Sequence, residues 1–257
     1  MCRHLAYFGP PIRIGRLLVD PPHGLVTQSW APRRQRHGTV NVDGFGVGWY
    51  PLSAAEDPPD VRAEPARHRG SGPVWADPTF ADLARVIRTG ALLAAVRSAT
   101  PGMAAGAAAA APFRRGRWLF SHNGRLDGWP EAAAALAARL PPQRLLQLDA
   151  AGDSALLWAL VDDLLSRGRD PGTALAEVVT AARCAGTGRF NLLLTDGVRI
   201  AATAAGDTLF WRRPALPDVA SGVVVASEPY DDDPAWQEVD DDRLLVADAT
   251  GVCVHPL

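Results

Sequence analysis

The chemistry this chain can do starts at its second residue. Cys2 directly follows Met1, and an initiator methionine is normally removed when the next residue is this small. A chain trimmed there begins with a thiol and a free α-amine on one residue. An α-amine titrates at ~7.7–8.0 and a thiol at ~8.5, so the amine can take the thiol proton near neutral pH. A nucleophile at the end of a chain therefore carries its own base. The competing reading is a small buried strand residue that happens to come second.

Three other places carry reactive or charged groups in suggestive settings. Residues Ser121 to Gly124 read SHNG after an apolar run. An Asn-Gly pair there ordinarily makes a tight turn, and we expect strand, turn and exit over 117–126. The same pair joins a side-chain amide to an unobstructed Gly N–H. Two such donors can hold a tetrahedral oxyanion, at ~3–4 kcal/mol per donor in acyl-transfer enzymes. Arg97 closes the apolar run in AVRSATPG; it is either a strand-end ion pair or a bidentate clamp on a carboxylate. Asp153, in AGDSALLW, is placed as the N-cap of a helix over 154–166, and it can still meet an ammonium group. His122 is not needed as an acid, because the α-amine fills that role.

The elements that must position these groups are legible in outline. The chain has 257 residues, 47% of them hydrophobic and 21% charged, with a net charge of −2. That composition excludes a disordered or fibrous chain, and the charge offers no basic field for nucleic acid or an anionic membrane. All 26 basic side chains are Arg. The six His include no metal-binding spacing, and three scattered Cys make no disulfide framework. We expect Cys184 and Cys253 to be ordinary buried thiols. No apolar run is long enough to span a bilayer and no secretory signal opens the chain, so a soluble cytoplasmic protein is expected.

Strands are expected at 2–8, 44–50 and 91–97, with helices over 79–88, 130–139, 154–166 and 173–184. Short strands follow over 189–195, 198–203, 208–212, 223–227, 244–248 and 252–255, with an Asp196-Gly197 turn between the first two. Residues 10–36 read mostly as loop with one helical piece at 16–19. Residues 56–73 read as a surface excursion, and the acidic runs 231–233 and 240–242 as solvated loops. Strands, then helices, then antiparallel strands indicate an α+β arrangement in one domain over 1–257.

Taken in order, MCRHLAYFG, NVDGFGVGWY, VRSATPG, SHNG, the GDS around Asp153 and ASEPY resemble the glutaminase domain of class II glutamine amidotransferases, within the N-terminal nucleophile (Ntn) hydrolases. The resemblance spans the chain. It implies a four-layer αββα fold, with two antiparallel sheets sandwiched between helices. It also implies roles: Cys2 attacks a γ-amide carbonyl, Asn123 and Gly124 form the oxyanion hole, Arg97 holds the glutamyl α-carboxylate with Ser98 or Thr100 assisting, and Asp153 holds the α-ammonium. No cofactor or metal is implied.

The match is incomplete in two places. Many relatives carry His-Pro where this chain has Ala111-Pro112, and the Arg97 motif lacks the usual Trp and His flanks. The segments MCRHLAYFGPP, AVRSATPGM, AAPF and RWLFSHNG are similar to the branch that removes glutamate from γ-glutamyl-hercynylcysteine sulfoxide in ergothioneine biosynthesis. A glutamine amidotransferase must pass ammonia to a synthase domain, and no residues remain here for one. The expected partner is therefore a small γ-glutamyl substrate, with no nucleic acid, membrane or obligate protein partner. A trimethylammonium group on such a substrate favours an aromatic face, for which Trp30 and Trp49 are candidates. Two alternatives stay open: a glutaminase subunit serving a separate synthase, and a non-catalytic γ-glutamyl binding module.

Overall fold

The computed structural model describes residues 2–52, 64–100, 102–213 and 222–257. In chain order the elements are β1 (Arg3–Arg13), α1 (Gly15–Leu18), α2 (Leu25–Gln28), β2 (Phe45–Trp49), β3 (Ala66–Gly70), α3 (Pro78–Val86), β4 (Arg88–Val96), β5 (Phe113–Arg115) and β6 (Trp118–Leu126). A helical middle follows, with α4 (Ala134–Ala137), α5 (Pro142–Leu145), α6 (Asp153–Ser166) and α7 (Pro171–Ala185). The chain closes with β7 (Gly188–Thr195), β8 (Ile200–Ala204), β9 (Phe210–Arg212), β10 (Val223–Ala226), β11 (Gln237–Glu238), β12 (Arg243–Ala247) and β13 (Val252–Pro256).

Two antiparallel sheets result. The first has the order β11-β9-β10-β1-β4-β2-β3 and the second β13-β12-β8-β7-β6-β5. Alternation along the strands places one side chain in each of two layers. On β1, Leu5 and Tyr7 join the layer containing Leu17, Leu18, Leu25 and Phe80 of α1–α3. Ala6 and Phe8 instead meet Leu193 and Ala202 of the facing sheet. On β7, Leu192 and Leu194 pack beneath Leu157, Trp158 and Val161 of α6, while Leu193 turns inward. Three apolar layers thus separate four structural ones, the αββα arrangement the resemblance implied. Both faces of the central strands are buried, so β4 reads as a nearly unbroken apolar run.

The helices outside the second sheet show why they formed where they did. Asp170 caps α7 by accepting from Thr173 N at 3.1 Å, with Pro171 at the first helical position. The expected Asp196-Gly197 turn joins β7 to β8, and Gly197 has φ +94°, which a side chain would strain. Among the described residues no helix is long and apolar enough to cross a membrane.

Several local expectations are overturned. There is no turn at Asn123-Gly124: β6 runs through it, pairing Asn123 with Asn191 and Gly124 with Phe190. Strand β7 supplies a full-length partner, and tertiary pairing outweighs the local turn preference. The helix over 130–139 is only a 3-10 turn at Glu131–Ala133 followed by the single turn of α4, because its alanines give it little apolar surface to bury. Part of the 56–73 excursion is β3, a polar strand at the sheet edge paired with β2; residues 56–63 lie outside the described residues. In 10–36, β1 continues to Arg13 and α2 is an added helical turn. Cys184 and Cys253 are exposed rather than buried, one in the last turn of α7 and the other on the edge strand β13. The run 231–233 is not merely solvated, since Asp231 and Asp233 pair with the buried guanidinium of Arg212 at 2.9 and 2.5 Å.

Phe120 is fully buried and stacks on Trp158 with ring centroids 5.3 Å apart, joining β6 to α6. Phe120→Ala should cost ~3–5 kcal/mol, read as a lower midpoint in urea unfolding with an unchanged m-value. A loss under about 1 kcal/mol would show that this layer does not hold β6 in place.

Candidate active site

The site lies where the start of β1 meets the interior of β6, one strand from each sheet. The backbone nitrogen of Cys2 donates to Asn123 Oδ1 at 3.2 Å, across 121 residues of sequence. Asn123 is fully buried. Its Nδ2 donates to Ser227 Oγ at 3.3 Å, and the same oxygen accepts His4 N at 3.0 Å. Gly124 allows β6 and β7 to approach closely, because a Cβ there would collide with the Arg189 carbonyl.

An open cleft starts at Cys2. Its walls bring together Arg97, Ser98, Thr100, Gly124 and Asp153, all named from sequence. Asn123 stands behind Cys2 rather than on the cleft wall. Arg97 extends from the end of β4, and its guanidinium donates to the carbonyls of Asp43 at 3.2 Å and Ala104 at 2.7 Å. Asp43 also accepts Ala99 N through Oδ2 at 2.7 Å, so one carboxylate and two carbonyls fix this corner. A guanidinium carries five N–H donors, and two such bonds leave others for a ligand.

Asp153 is not a helix N-cap. Gly152 holds that position and no side chain caps it. Asp153 is the first residue of α6; its Oδ2 accepts Leu126 N at 2.9 Å and its Oδ1 accepts Ser154 N at 2.6 Å. The carboxylate is thereby tied to the end of β6, and its remaining lone pairs can take an ammonium. The start of a helix also favours a negative charge there.

His122 has both nitrogens engaged, Nε2 donating to the Arg189 carbonyl at 2.9 Å and Nδ1 lying 2.9 Å from Ser154 Oγ. Its role is structural, joining β6 to β7 and α6. Ala111 packs against the helix-side core and brings no ionisable group. Trp30 is half-exposed and meets Trp75 edge-to-face at 5.3 Å, while Trp49 packs on the layer under α1–α3; neither lines the cleft. Among the described residues no three His, Cys, Asp or Glu are placed to hold a metal. Sequence reasoning missed Asp43 and Ser227, since neither residue type announces a role apart from the partner it meets.

Buried charge surrounds Cys2. Arg3 is fully buried with Glu228 at 3.9 Å, and burial lowers its pKa while Glu228 opposes the shift. Glu228 accepts the backbone N–H groups of Arg33 and Arg34 at 3.0 and 2.8 Å. Burial pushes the Asp207 carboxyl up, with Arg3 and Arg189 opposing. His4 is held down to about 3, first by burial and then by the nearby charges of Arg3 and His122. In an unfolded chain that imidazole takes its proton near 6.5. Below about pH 6.5 the unfolded chain therefore binds more protons, and stability falls as the pH drops towards 3. His4→Asn should flatten the fall in urea midpoint between pH 6.5 and 4. Equal slopes in the two proteins would show that another group governs this range.

Comparison with known proteins agrees with this geometry. The family model for class II glutamine amidotransferases matches residues 23–217. Gamma-glutamyl-hercynylcysteine sulfoxide hydrolase of Mycolicibacterium smegmatis is 41% identical over 260 residues, covering all of both chains. The protein of the same name from Mycobacterium tuberculosis is 39% identical over 258 residues, covering all of this chain and 97% of that one. Among solved structures, a glutamine aminotransferase class-II domain protein from Silicibacter pomeroyi superposes with a TM-score of 0.67 at 22% identity, covering 99% of each chain. That likeness concerns the fold alone. The family match and the full-length likeness show that this chain belongs to the class II glutamine amidotransferases.

Proposed function

We propose that the protein is a γ-glutamyl amide hydrolase that releases glutamate from γ-glutamyl-hercynylcysteine sulfoxide, a step of ergothioneine biosynthesis. The observation that carries this reading is the full-length likeness to the two mycobacterial sulfoxide hydrolases. The cleft supports it with a thiol, a carboxylate-binding guanidinium and an ammonium-binding carboxylate along one groove. The enzyme acts in the cytoplasm on a small substrate, with no cofactor and no obligate protein partner.

The reaction runs on the chain once Met1, which lies outside the described residues, has been removed. The Cys2 α-amine takes the thiol proton, and Sγ attacks the γ-carbonyl carbon. The C–S bond forms, and the carbonyl electrons move to an oxyanion held by Asn123 Nδ2 and the Gly124 N–H. The ammonium returns its proton to the leaving nitrogen as the C–N bond breaks, leaving a thioester on Cys2. Water then attacks the thioester and gives its proton to the amine, and glutamate departs with the thiol restored. Arg97, with Ser98 or Thr100, holds the α-carboxylate and Asp153 the α-ammonium, so binding orients the γ-carbonyl onto Sγ.

The test compares glutamate release from the sulfoxide and from L-glutamine by purified protein, with Met1 removal checked by intact mass. The sulfoxide should be preferred by about a hundredfold in kcat/KM, and Cys2→Ala should lower turnover by about a thousandfold or more. Release from glutamine alone would retain the chemistry and point instead to ammonia supply for a separate synthase. Absence of release from either substrate by trimmed protein would favour a binding module.

A further inference from the structure

We propose that Ser227 is a positioning residue that anchors the Asn123 amide with Oδ1 facing Cys2 and one Nδ2 hydrogen left for the oxyanion. The proposal rests on the hydrolase reading above. Asn123 can be held in two orientations related by exchange of Oδ1 and Nδ2, and only one is useful. The Cys2 nitrogen must find an acceptor, and the oxyanion must find a donor.

Two contacts hold the useful orientation. The Cys2 nitrogen can only donate, and it faces Oδ1 at 3.2 Å. At the other end Nδ2 meets Ser227 Oγ at 3.3 Å, an oxygen held in place by the backbone N–H of His4 at 3.0 Å, which takes one of its lone pairs and leaves the other for the amide N–H. An amide NH₂ has two hydrogens, so one remains after Ser227 has taken the other. That remaining N–H is the donor the tetrahedral intermediate uses.

Ser227 is itself fixed. It is fully buried; its N–H donates to the His4 carbonyl at 2.9 Å, and its carbonyl accepts from Thr208 Oγ1 at 2.8 Å. The residue therefore reads the position of β1 directly, through both backbone groups of His4, and transmits it to a side chain on the other sheet. No feature of the residue type gives this away; the link exists only because β10 ends beside β1.

The test is a mutant cycle on the trimmed enzyme with the sulfoxide as substrate. Ser227→Ala should lower kcat ~10–100-fold with KM within about twofold, since the contact serves an oxyanion donor. On an Asn123→Ala background the same substitution should cost less than about twofold, because its effect travels through Asn123. Ser227→Thr, which keeps the oxygen, should recover most of the loss. Ser227→Cys, near in volume but a weak acceptor, repeats the measurement should Ser227→Ala fold poorly. Equal losses in both backgrounds, or a rise in KM without a fall in kcat, would assign Ser227 a merely structural role and overturn the proposal. An unchanged kcat in Asn123→Ala alone would overturn the oxyanion assignment beneath it, while leaving glutamate release from the sulfoxide as a separate result.

Discussion

The structure depends on one contact between its two sheets, the hydrogen bond from the Cys2 nitrogen to Asn123 Oδ1. Cys2 adjoins the first sheet and its amide partner lies in the second, so this contact exists only where the two sheets are held at one separation and register. The inward layer sets that separation. Ala6, Phe8 and Leu93 from one sheet interlock with Leu119, Leu193 and Ala202 from the other, at packing densities that do not deform continuously. Small residues matter as much as large ones here: Ala6 and Ala202 keep the sheets close enough for a short amide to bridge them.

Cys2 leads into a strand that is central in its sheet, β1 lying between β10 and β4. Leu5 is paired with Ala226 on one side and Ala94 on the other, so β1 cannot fray independently of its neighbours. The charged groups nearest Cys2 are likewise removed from water. Arg3 and Glu228 are both buried, and pairing in such a place offsets their desolvation more than it adds net stability. The neutral His4 adds a destabilising proton linkage at low pH. These are costs carried beside Cys2, and a fold built for stability alone would fill the same positions with apolar groups.

Much of the architecture was legible because burial on both faces leaves a strong mark on sequence. The apolar runs that became β4, β7 and β10 were clear, and so were the long helices α6 and α7. The cleft was legible for a different reason: Cys2, Arg97, SHNG and Asp153 are unusual residues at strand ends and helix starts, and their order matched a family. What failed was local geometry decided by distant partners. Asn123-Gly124 reads as a turn until β7 is known to lie beside it, and Asp153 reads as a cap until Leu126 N is known to face its carboxylate. β3 carries RHR in its middle and looks like a loop until the edge of β2 gives its backbone a partner. Cys184 and Cys253 were misplaced because cysteine is usually buried, while these two fall on a helix end and an edge strand.

The same division explains how chemistry and attachment are separated in this molecule. Cys2, Asn123, Gly124 and Arg97 stand on or directly beside hydrogen-bonded strands, whose pairing fixes the backbone. Residues 31–40 contain no helix or strand. Their hold on the body includes the two amides that Glu228 accepts and the Asn41–Gln35 contact at 3.0 Å. Glu228 is also the carboxylate facing Arg3, the residue after Cys2. A segment free of ladder constraints can change its side chains without moving the strands, yet its anchor is the same carboxylate that balances charge beside Cys2. The backbone positions that Glu228 grips are therefore coupled to the buried charge on β1 in a way that the rest of the segment is not.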